Sequence, residues 1–324
     1  MATILQLEDY INGIKKGDVS ILSRAITLSE SSLPNHTQLA NEIINNIFSL
    51  TGNSIRLGVT GVPGVGKSSF IESFGKYAHS QNKKIAVLAI DPSSTLNKGS
   101  ILGDKTRMEE LSKLPNVYIR PSPSSGYLGG IAKATYQTIL LCEAAGYNYI
   151  IIETVGVGQS ETMVNNLCDF FLLLMLAGAG DELQGIKRGI MEMADSVAIT
   201  KADGTNEQKA NAAVLEYKNA MHLLPAHPSG WIPKVIPCSS ITNKGIDKIF
   251  DEILSYKNHA VNSGYFYEKR MLQQQALFKE LLEQKILDEF YIKNAQKIKA
   301  IQKQLKENKL DLFKALNSAL NNPL

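Results

Sequence analysis

The feature that most constrains the fold is a glycine-rich loop between a short apolar run and an amphipathic run. The stretch GVTGVPGVGKSSF covers residues 58–70; the run IRLGVT leads into it, and SSFIESFGKYA leaves it. Its residues 61–68 fit the pattern G-x-x-x-x-G-K-[ST], which indicates a phosphate-binding loop when it joins a strand to a helix. Both flanks meet that condition, so the sequence predicts a P-loop and a bound nucleotide.

Each residue type in this loop has a physical reason. Glycines let backbone N–H groups converge on a phosphate with no Cβ in the way, and the helix that follows points its positive end at the same anion. We expect Lys67 to reach the β- and γ-phosphates and the Ser68 hydroxyl to ligate Mg²⁺. The predicted nucleotide-contacting residues are Gly61, Val62, Pro63, Gly64, Val65, Gly66, Lys67, Ser68 and Ser69.

From residue 55 onwards, β-rich runs alternate with helical runs. This alternation predicts an α/β fold of the P-loop NTPase type, with three layers and a mostly parallel sheet. The run FFLLLML at 170–176 has no polar alternation, so we expect a strand buried on both faces. Residues 29–34 are expected to divide the amino-terminal region into two helices. The predicted domains are an N-terminal helical segment (1–50), a P-loop domain (51–262) and a C-terminal helical extension (263–324).

The bulk composition argues against several classes of partner. The chain is 44% hydrophobic and has a net charge of +3, so neither nucleic acid nor a membrane surface is expected as its main partner. Its most apolar run, Phe170–Ala177, is shorter than the roughly 20 residues that span a bilayer. The three cysteines form no C-x-x-C pair, and the amino terminus lacks the pattern of a leader peptide. We therefore expect reduced thiols and a cytoplasmic protein.

A second pattern predicts which base is bound. Residues 200–203 read TKAD and follow the strand-like run SVAI, in the place where GTPases carry [NT]-K-x-D. The Asp203 carboxylate would accept hydrogen bonds from the guanine N1–H and N2–H₂ groups, a pair of donors that adenine does not offer. The run CSSI at 238–241 ends the next strand and could supply a backbone N–H to the guanine O6. The predicted base-site residues are Thr200, Lys201, Asp203, Ser239, Ser240 and Ile241.

Acidic residues near predicted strand ends indicate a metal site. Glu153 ends the strand-like run YNYIIIET in the Walker-B position, and Gly156 follows where an amide contact to the γ-phosphate belongs. Together with Ser68, the acids Asp91, Asp104 and Glu153 could hold Mg²⁺ directly or through its waters, because Mg²⁺ prefers oxygen ligands. Each acid taken singly could instead cap a helix.

Phosphoryl transfer depends mostly on positioning and on charge stabilisation, so cations near the phosphates are candidates for catalysis. Four basic side chains lie in glycine-containing loops: Lys105, Arg107, Lys187 and Arg188. Solvated loop charges are the simpler interpretation of Lys105 and Arg188, whereas Arg107 and Lys187 are equally well read as catalytic. The predicted catalytic set is therefore Lys67, Glu153, Lys187 and Arg107.

Taken in order, seven stretches resemble one family. They are GVPGVGKSS, AIDPSST, GSILGDKTRM, ETVGVGQSE, GAGDELQGIKRGI, TKADG and GWIPKVIPCSS, and the resemblance extends over roughly residues 30–270. This set closely resembles the methylmalonyl-CoA mutase-associated GTPases, the MeaB/ArgK/MMAA-type G proteins. ETVGVGQSE and GAGDELQGIK are similar to that family well beyond any general GTPase pattern.

The resemblance implies a GTPase that binds GTP and GDP with Mg²⁺ and serves an adenosylcobalamin-dependent acyl-CoA mutase. Such proteins gate delivery of the cofactor and protect the mutase, and they are typically homodimers whose C-terminal helices contribute to the contact. By matching position, Ser68, Asp91, Asp104 and Glu153 would surround Mg²⁺. The loop 178–189 would be a mobile switch that senses the partner, with Lys187 completing the γ-phosphate site.

The chain departs from the common pattern at Thr200, where GTPases usually carry Asn. Thr has one hydroxyl and cannot both tether the P-loop and contact the guanine N7, so we expect weaker guanine affinity. Lys201 and Asp203 still favour GTP.

Three other functions stay open on the sequence. A nickel-insertion GTPase would need a Cys/His relay, whereas the five histidines are scattered: His36, His79, His222, His227 and His259. An ATP-dependent kinase or transport-coupled ATPase is disfavoured by Asp203 and by the absence of an acceptor-site pattern. A binding protein without turnover is disfavoured because Lys67, Ser68 and Glu153 are all present.

Overall fold

A computed structural model describes residues 4–90, 108–121, 128–154, 160–178 and 188–320 of the chain. The described strands are β1 (Ile55–Gly61), β2 (Ile85–Ile90), β3 (Val117–Pro121), β4 (Tyr149–Thr154), β5 (Phe170–Met175), β6 (Ser196–Ile199) and β7 (Lys234–Pro237). The described helices are α1 (Leu7–Lys15), α2 (Val19–Ser29), α3 (Pro34–Ile47), α4 (Lys67–Ser80), α5 (Glu109–Ser112), α6 (Leu128–Ala144), α7 (Ser160–Asn165), α8 (Arg188–Glu192), α9 (Glu207–His222), α10 (Ile246–Asn262), α11 (Tyr265–Lys293), α12 (Ala295–Lys306) and α13 (Leu312–Leu320).

The seven strands form one sheet in the order β3-β2-β4-β1-β5-β6-β7. Every neighbouring pair is parallel, as in the register that sets Val59 of β1 opposite Glu153 of β4 and Leu172 of β5. Because all strands run the same way, their carboxyl ends meet at one edge of the sheet, where ligands of open α/β sheets bind. The predicted α/β fold with a mostly parallel sheet is therefore confirmed.

Side chains of the sheet are buried on both faces. In β5, Phe170 belongs to the core that also contains Phe74 of α4 and Phe250 of α10. Its neighbour Phe171 belongs to the core formed with the amino-terminal helices and α6, and Met175 packs in a third cluster beside α9. Since both faces of the strand need apolar side chains, the run at 170–176 shows no polar alternation.

The amino-terminal region contains three helices, so the prediction of two helices was wrong. The additional break lies at Gly17, whose φ of 71° is a conformation that favours glycine. Asp18 then caps α2, because its Oδ1 accepts hydrogen bonds from the backbone N–H groups of Ser20 and Ile21 at 2.8 and 3.1 Å. The break between α2 and α3 falls at 30–33, where it was expected.

Buried ion pairs hold the amino-terminal edge of the sheet, opposite the edge that carries the P-loop. Arg270 in the first turns of α11 contacts both Asp169 oxygens at 2.7 Å and donates to the Gly52 carbonyl at 2.7 Å. Arg56 of β1 pairs with Glu143 at 3.0 Å. Burial opposes ionisation of Asp169, but the hydrogen bonds and charge of Arg270 outweigh it and hold the pKa of Asp169 below its ordinary value.

The chain divides into two compact units, residues 1–273 and 274–324. The described part of the second unit comprises the end of α11 with α12 and α13, and α12 contacts α13. Several of its large apolar side chains are exposed: Phe278, Leu282, Ile286, Tyr291, Ile292, Phe313 and Leu316.

The domain boundaries of the sequence analysis stay a prediction. Within the described ranges, no helix combines the length and apolar character needed to cross a membrane.

Candidate functional site

The P-loop joins the end of β1 to the start of α4, at the centre of the carboxyl-terminal edge of the sheet. Gly64 and Gly66 have φ angles of 77° and 93°, and an added Cβ at either position would meet no atom within 4 Å. The space in front of the loop is therefore open, and glycine is required there by the backbone conformation. The space at Gly61 is closed, because a Cβ added there would lie 2.5 Å from the Leu174 carbonyl oxygen.

Lys67 begins α4 and extends over the loop. Its Nζ donates a hydrogen bond to the Gly61 carbonyl at 2.8 Å. Burial lowers the pKa of Lys67, and the carboxylates of Glu153 and Glu161 oppose that shift. A phosphate placed over the loop would add a third negative group to this pair of acids, so the lysine alone does not balance the charge of the filled site.

Ser68 and Glu153 bring a hydroxyl and a carboxylate together beside the P-loop. The Ser68 Oγ donates to Glu153 Oε1 at 3.3 Å, and Glu153, near the end of β4, is only 3% exposed. Oxygen donors of this kind suit Mg²⁺, so the two residues fit the predicted metal. In the described ranges, no three His, Cys, Asp or Glu side chains group in a way that could hold a metal ion. The further predicted ligands Asp91 and Asp104 lie outside those ranges.

A second buried acid acts electrostatically on Lys67 and was missed by the sequence analysis. Glu161 lies at the start of α7 and is 7% exposed, and its Oε2 has no hydrogen-bond partner among the described residues. The only signal for it is the final acid of ETVGVGQSE, which reads equally well as the first-turn acid of a helix.

Residues 200 and 201 connect the loop after β6 to the P-loop. The Thr200 hydroxyl lies 2.8 Å from the Val65 carbonyl oxygen and 3.2 Å from that of Met175. Lys201, with a φ of 56°, donates from Nζ to the Gly64 carbonyl at 2.9 Å. Thr200 therefore makes the tether to the P-loop that the sequence analysis discussed, and that tether engages its single hydroxyl proton.

Asp203 and Ser239 connect the loops that follow β6 and β7. The Ser239 hydroxyl donates to Asp203 Oδ2, and the Ala202 N–H donates to the Cys238 carbonyl at 3.0 Å. Asp203 Oδ1 has no hydrogen-bond donor within the part of the chain that the structure describes. The short connection after β7 depends on Gly245, because a Cβ there would lie 2.2 Å from the Pro237 carbonyl oxygen.

The structure thus brings the predicted phosphate-loop and base-site residues to one edge. Val65 is fully buried in the core and anchors the loop, whereas Pro63, Gly64 and Ser69 are exposed. Ile241 is 83% exposed at the base end. The remaining predicted site residues lie outside the described ranges: Asp91, Asp104, Arg107, Gly156 and Lys187. Their roles stay predictions, as does most of the proposed switch 178–189.

Comparisons with known proteins agree with this geometry. Residues 22–295 match the family model described as Methylmalonyl Co-A mutase-associated GTPase MeaB. The GTPase ArgK of Escherichia coli K12 is 43% identical over 285 residues, which cover 88% of this chain and 86% of that protein. The mitochondrial methylmalonic aciduria type A homolog of Mus musculus is 44% identical over 288 residues, covering 86% of this chain and 69% of that protein.

One solved structure is similar along nearly the whole chain. It is the crystal structure titled LAO/AO transport system kinase, with a TM-score of 0.77, 34% sequence identity, and 98% of each chain covered. The matched family model spans the P-loop, the loops after β6 and β7, and the start of the carboxyl-terminal helices. The chain therefore belongs to the methylmalonyl-CoA mutase-associated GTPase family.

Proposed function

We propose that this protein binds and hydrolyses GTP with Mg²⁺ and acts as a chaperone for an adenosylcobalamin-dependent acyl-CoA mutase. In this role it gates delivery of the cofactor and protects the mutase. The observation that carries the nucleotide part lies at the base end of the site, beside a P-loop: two polar groups there have no hydrogen-bond partner among the described residues. Family membership supports the partner.

These two groups are complementary to one edge of guanine. Asp203 Oδ1 offers an acceptor, and Ser240 N–H has no acceptor among the described residues, while Ser239 holds the two loops together. Guanine presents the N1–H and N2–H₂ donors to a carboxylate and its O6 to an amide. Adenine would place its unprotonated N1 against the carboxylate and leave that carboxylate unpaired, at a cost of about 1–3 kcal/mol. This difference favours GTP over ATP.

The phosphate end supports turnover as well as binding. Lys67 supplies a positive charge at the loop, and the amino end of α4 adds its partial positive charge. Ser68 and Glu153 would hold Mg²⁺, which when bound would neutralise charge on the phosphate oxygens. We further propose that Asp91 and Asp104 complete the metal site, that the Gly156 amide contacts the γ-phosphate, and that Lys187 or Arg107 stabilises charge during transfer.

The partner is proposed from the family description, which names a methylmalonyl-CoA mutase. The name of the mouse relative, methylmalonic aciduria type A homolog, is consistent with it. We also propose a homodimer, because large apolar side chains such as Phe278, Ile286 and Phe313 are exposed, and exposed apolar patches often mark protein interaction sites. A switch at 178–189 would report the presence of the mutase.

Two measurements on the full chain test this function. Calorimetry with Mg²⁺ should give a lower Kd for GTP than for ATP. Hydrolysis of GTP should be slow alone and faster with methylmalonyl-CoA mutase, and unchanged with an adenosylcobalamin enzyme whose substrate is not an acyl-CoA. Equal affinity for ATP, or no binding of either nucleotide, would contradict the guanine assignment. The absence of any acceleration by the mutase would contradict the partner.

A further inference from the structure

Ser73 directly links helix α4 to the loop after β7, which contains Ser239, Ser240 and Ile241. It lies two turns into α4, the helix that begins at Lys67. Its hydroxyl donates to the Ser240 carbonyl at 2.9 Å, across 167 positions of sequence. The sequence analysis gave Ser73 no role, because the P-loop pattern ends at Ser68.

Other hydroxyls in helices of this protein behave differently. Thr27, Thr138 and Ser255 each donate to the carbonyl four residues earlier in their own helix, at 2.8–2.9 Å. Ser73 has the same option at Ser69, but its hydroxyl is directed away from its own helix to the loop after β7. The local bond is the usual outcome for such side chains, so the contact across the site reflects how closely Ser240 approaches α4.

The hydrogen bonds inside the loop leave one amide available. The Ser239 N–H donates to the Lys244 carbonyl at 2.9 Å. The N–H groups of Ile241 and Thr242 both donate to the Ser239 hydroxyl at 3.2 Å. Of the backbone amides at 239–242, all within the described ranges, Ser240 alone keeps an N–H without an acceptor. Ser73 therefore fixes the carbonyl of the same residue whose N–H is available.

We propose that Ser73 is a positioning residue for recognition of the six-oxo group of guanine. By holding the Ser240 carbonyl, it fixes the orientation in which the Ser240 N–H is presented to a bound base. It acts on the O6 side of the base and leaves the Asp203 side unchanged. The proposal rests on the GTP-binding function above, and it adds a residue that touches neither the phosphates nor the base.

The test compares two analogues, each altered at one position of guanine. In 6-thio-GTP a weaker and larger acceptor replaces O6, while inosine triphosphate lacks only the 2-amino group that faces Asp203. For Ser73→Ala we expect the preference for GTP over 6-thio-GTP to fall roughly two- to tenfold, the range of one hydrogen bond. The preference for GTP over inosine triphosphate should stay at its wild-type value. Ser73→Thr keeps a hydroxyl and should restore the first preference.

Each other outcome has a definite meaning. If both preferences stay at wild-type values in Ser73→Ala, Ser73 has no part in base recognition. If both fall together, the substitution disturbs the whole base site, and a specific role towards O6 is overturned. Thermal unfolding of the three proteins separates this second case from general destabilisation, which would lower the melting temperature. A wild-type protein with no preference for GTP over ATP would contradict the proposed function itself and would be seen before any variant is made.

Discussion

Thr200 and Val65 are joined by a hydrogen bond of 2.8 Å between the threonine hydroxyl and the P-loop carbonyl. The bond ties the end of β6 to the loop that follows β1, although the two lie 135 residues apart in sequence. The predicted base site and the P-loop are therefore directly connected. GTPases with Asn at this position can make the same connection with a longer side chain. Here the shorter threonine side chain reaches the Val65 carbonyl directly.

Replacing Thr200 with Val should weaken nucleotide binding about tenfold. The substitution keeps the shape of the side chain but leaves the Val65 carbonyl without its donor, at a cost of about 1–3 kcal/mol. Thr200→Ser keeps the hydroxyl and should bind GDP within about twofold of wild type. The dissociation rate of a fluorescent GDP analogue provides the measurement, and equal rates for the Val and Ser variants would argue against the tether.

Replacing Asp203 with Asn should shift the preference from GTP towards xanthosine triphosphate. An amide offers a donor where the carboxylate accepted, and xanthine carries a carbonyl at the position of the guanine 2-amino group. We expect the ratio of GTP to XTP affinities to fall at least a hundredfold, since both sides of the comparison change. Glu216→Gln on the exposed side of α9 removes the same charge outside the site and serves as the control. An unchanged ratio in Asp203→Asn would contradict the base assignment.

Replacing Lys67 with Ala should abolish tight binding of GTP and GDP. The variant loses the cation at the loop while Glu153 and Glu161 stay in place, so the approaching phosphates meet uncompensated negative charge. Lys76→Ala removes an exposed lysine from the same helix and should bind as wild type does. Calorimetry with Mg²⁺ distinguishes the two, and wild-type affinity in Lys67→Ala would show that the phosphates bind elsewhere.

Replacing Arg270 with Leu should destabilise residues 1–273 by about 3–5 kcal/mol, because it leaves the buried Asp169 carboxylate without the cation that pairs with it. Lys113→Leu removes one side of an exposed pair with Glu110 and should change the free energy of unfolding by less than about 1 kcal/mol. Urea unfolding measures both. The double variant Asp169→Leu/Arg270→Leu should recover part of the stability lost in Arg270→Leu. If the double variant lost as much stability as the Asp169→Leu and Arg270→Leu variants together, the two residues would not interact.

The same pair should make the protein sensitive to acid. The folded-state pKa of Asp169 lies below its ordinary value, so the folded state binds this proton more weakly than the unfolded state does. The pair therefore contributes its stability above the unfolded-state pKa of about 3.9 and loses it as the pH falls through the lower folded-state value. The free energy of unfolding between pH 6 and pH 3 should fall less steeply in Asp169→Asn than in wild type. Equal slopes would mean that Asp169 does not titrate as described.

Sequence patterns were informative where chemistry repeats at fixed spacing. The P-loop and TKAD each follow a strand, Glu153 lies near the end of β4, and the parallel sheet brings those strand ends to one edge. The patterns could not reveal Ser73, because its partner lies 167 residues away and its residue type is common on helix surfaces. Glu161 was missed for a related reason, since an acid in the first turn of a helix is ordinary.

The missed break at Gly17 has a different cause. The apolar residues of Leu7–Lys15 recur at the same three-to-four spacing as Leu22 and Ile26, so the pattern predicts helix on both sides of the break. The first helix is held by burial, because Tyr10 and Ile14 are at most 2% exposed in the core shared with α2 and α3. The break depends on the positive φ of one glycine and on the cap that follows it, and apolar spacing records neither.

The two ends of the strands have unlike chemistry, and that difference has a genetic consequence. Ion pairs such as Arg270–Asp169 occupy one end, and the residues predicted to bind the nucleotide occupy the other. Damaging alleles should therefore divide into two classes: one that lowers the amount of protein in the cell, and one that leaves normal amounts of an inactive protein. An abundance assay run beside a nucleotide-binding assay would assign a newly found allele to its class from the strand end at which it falls.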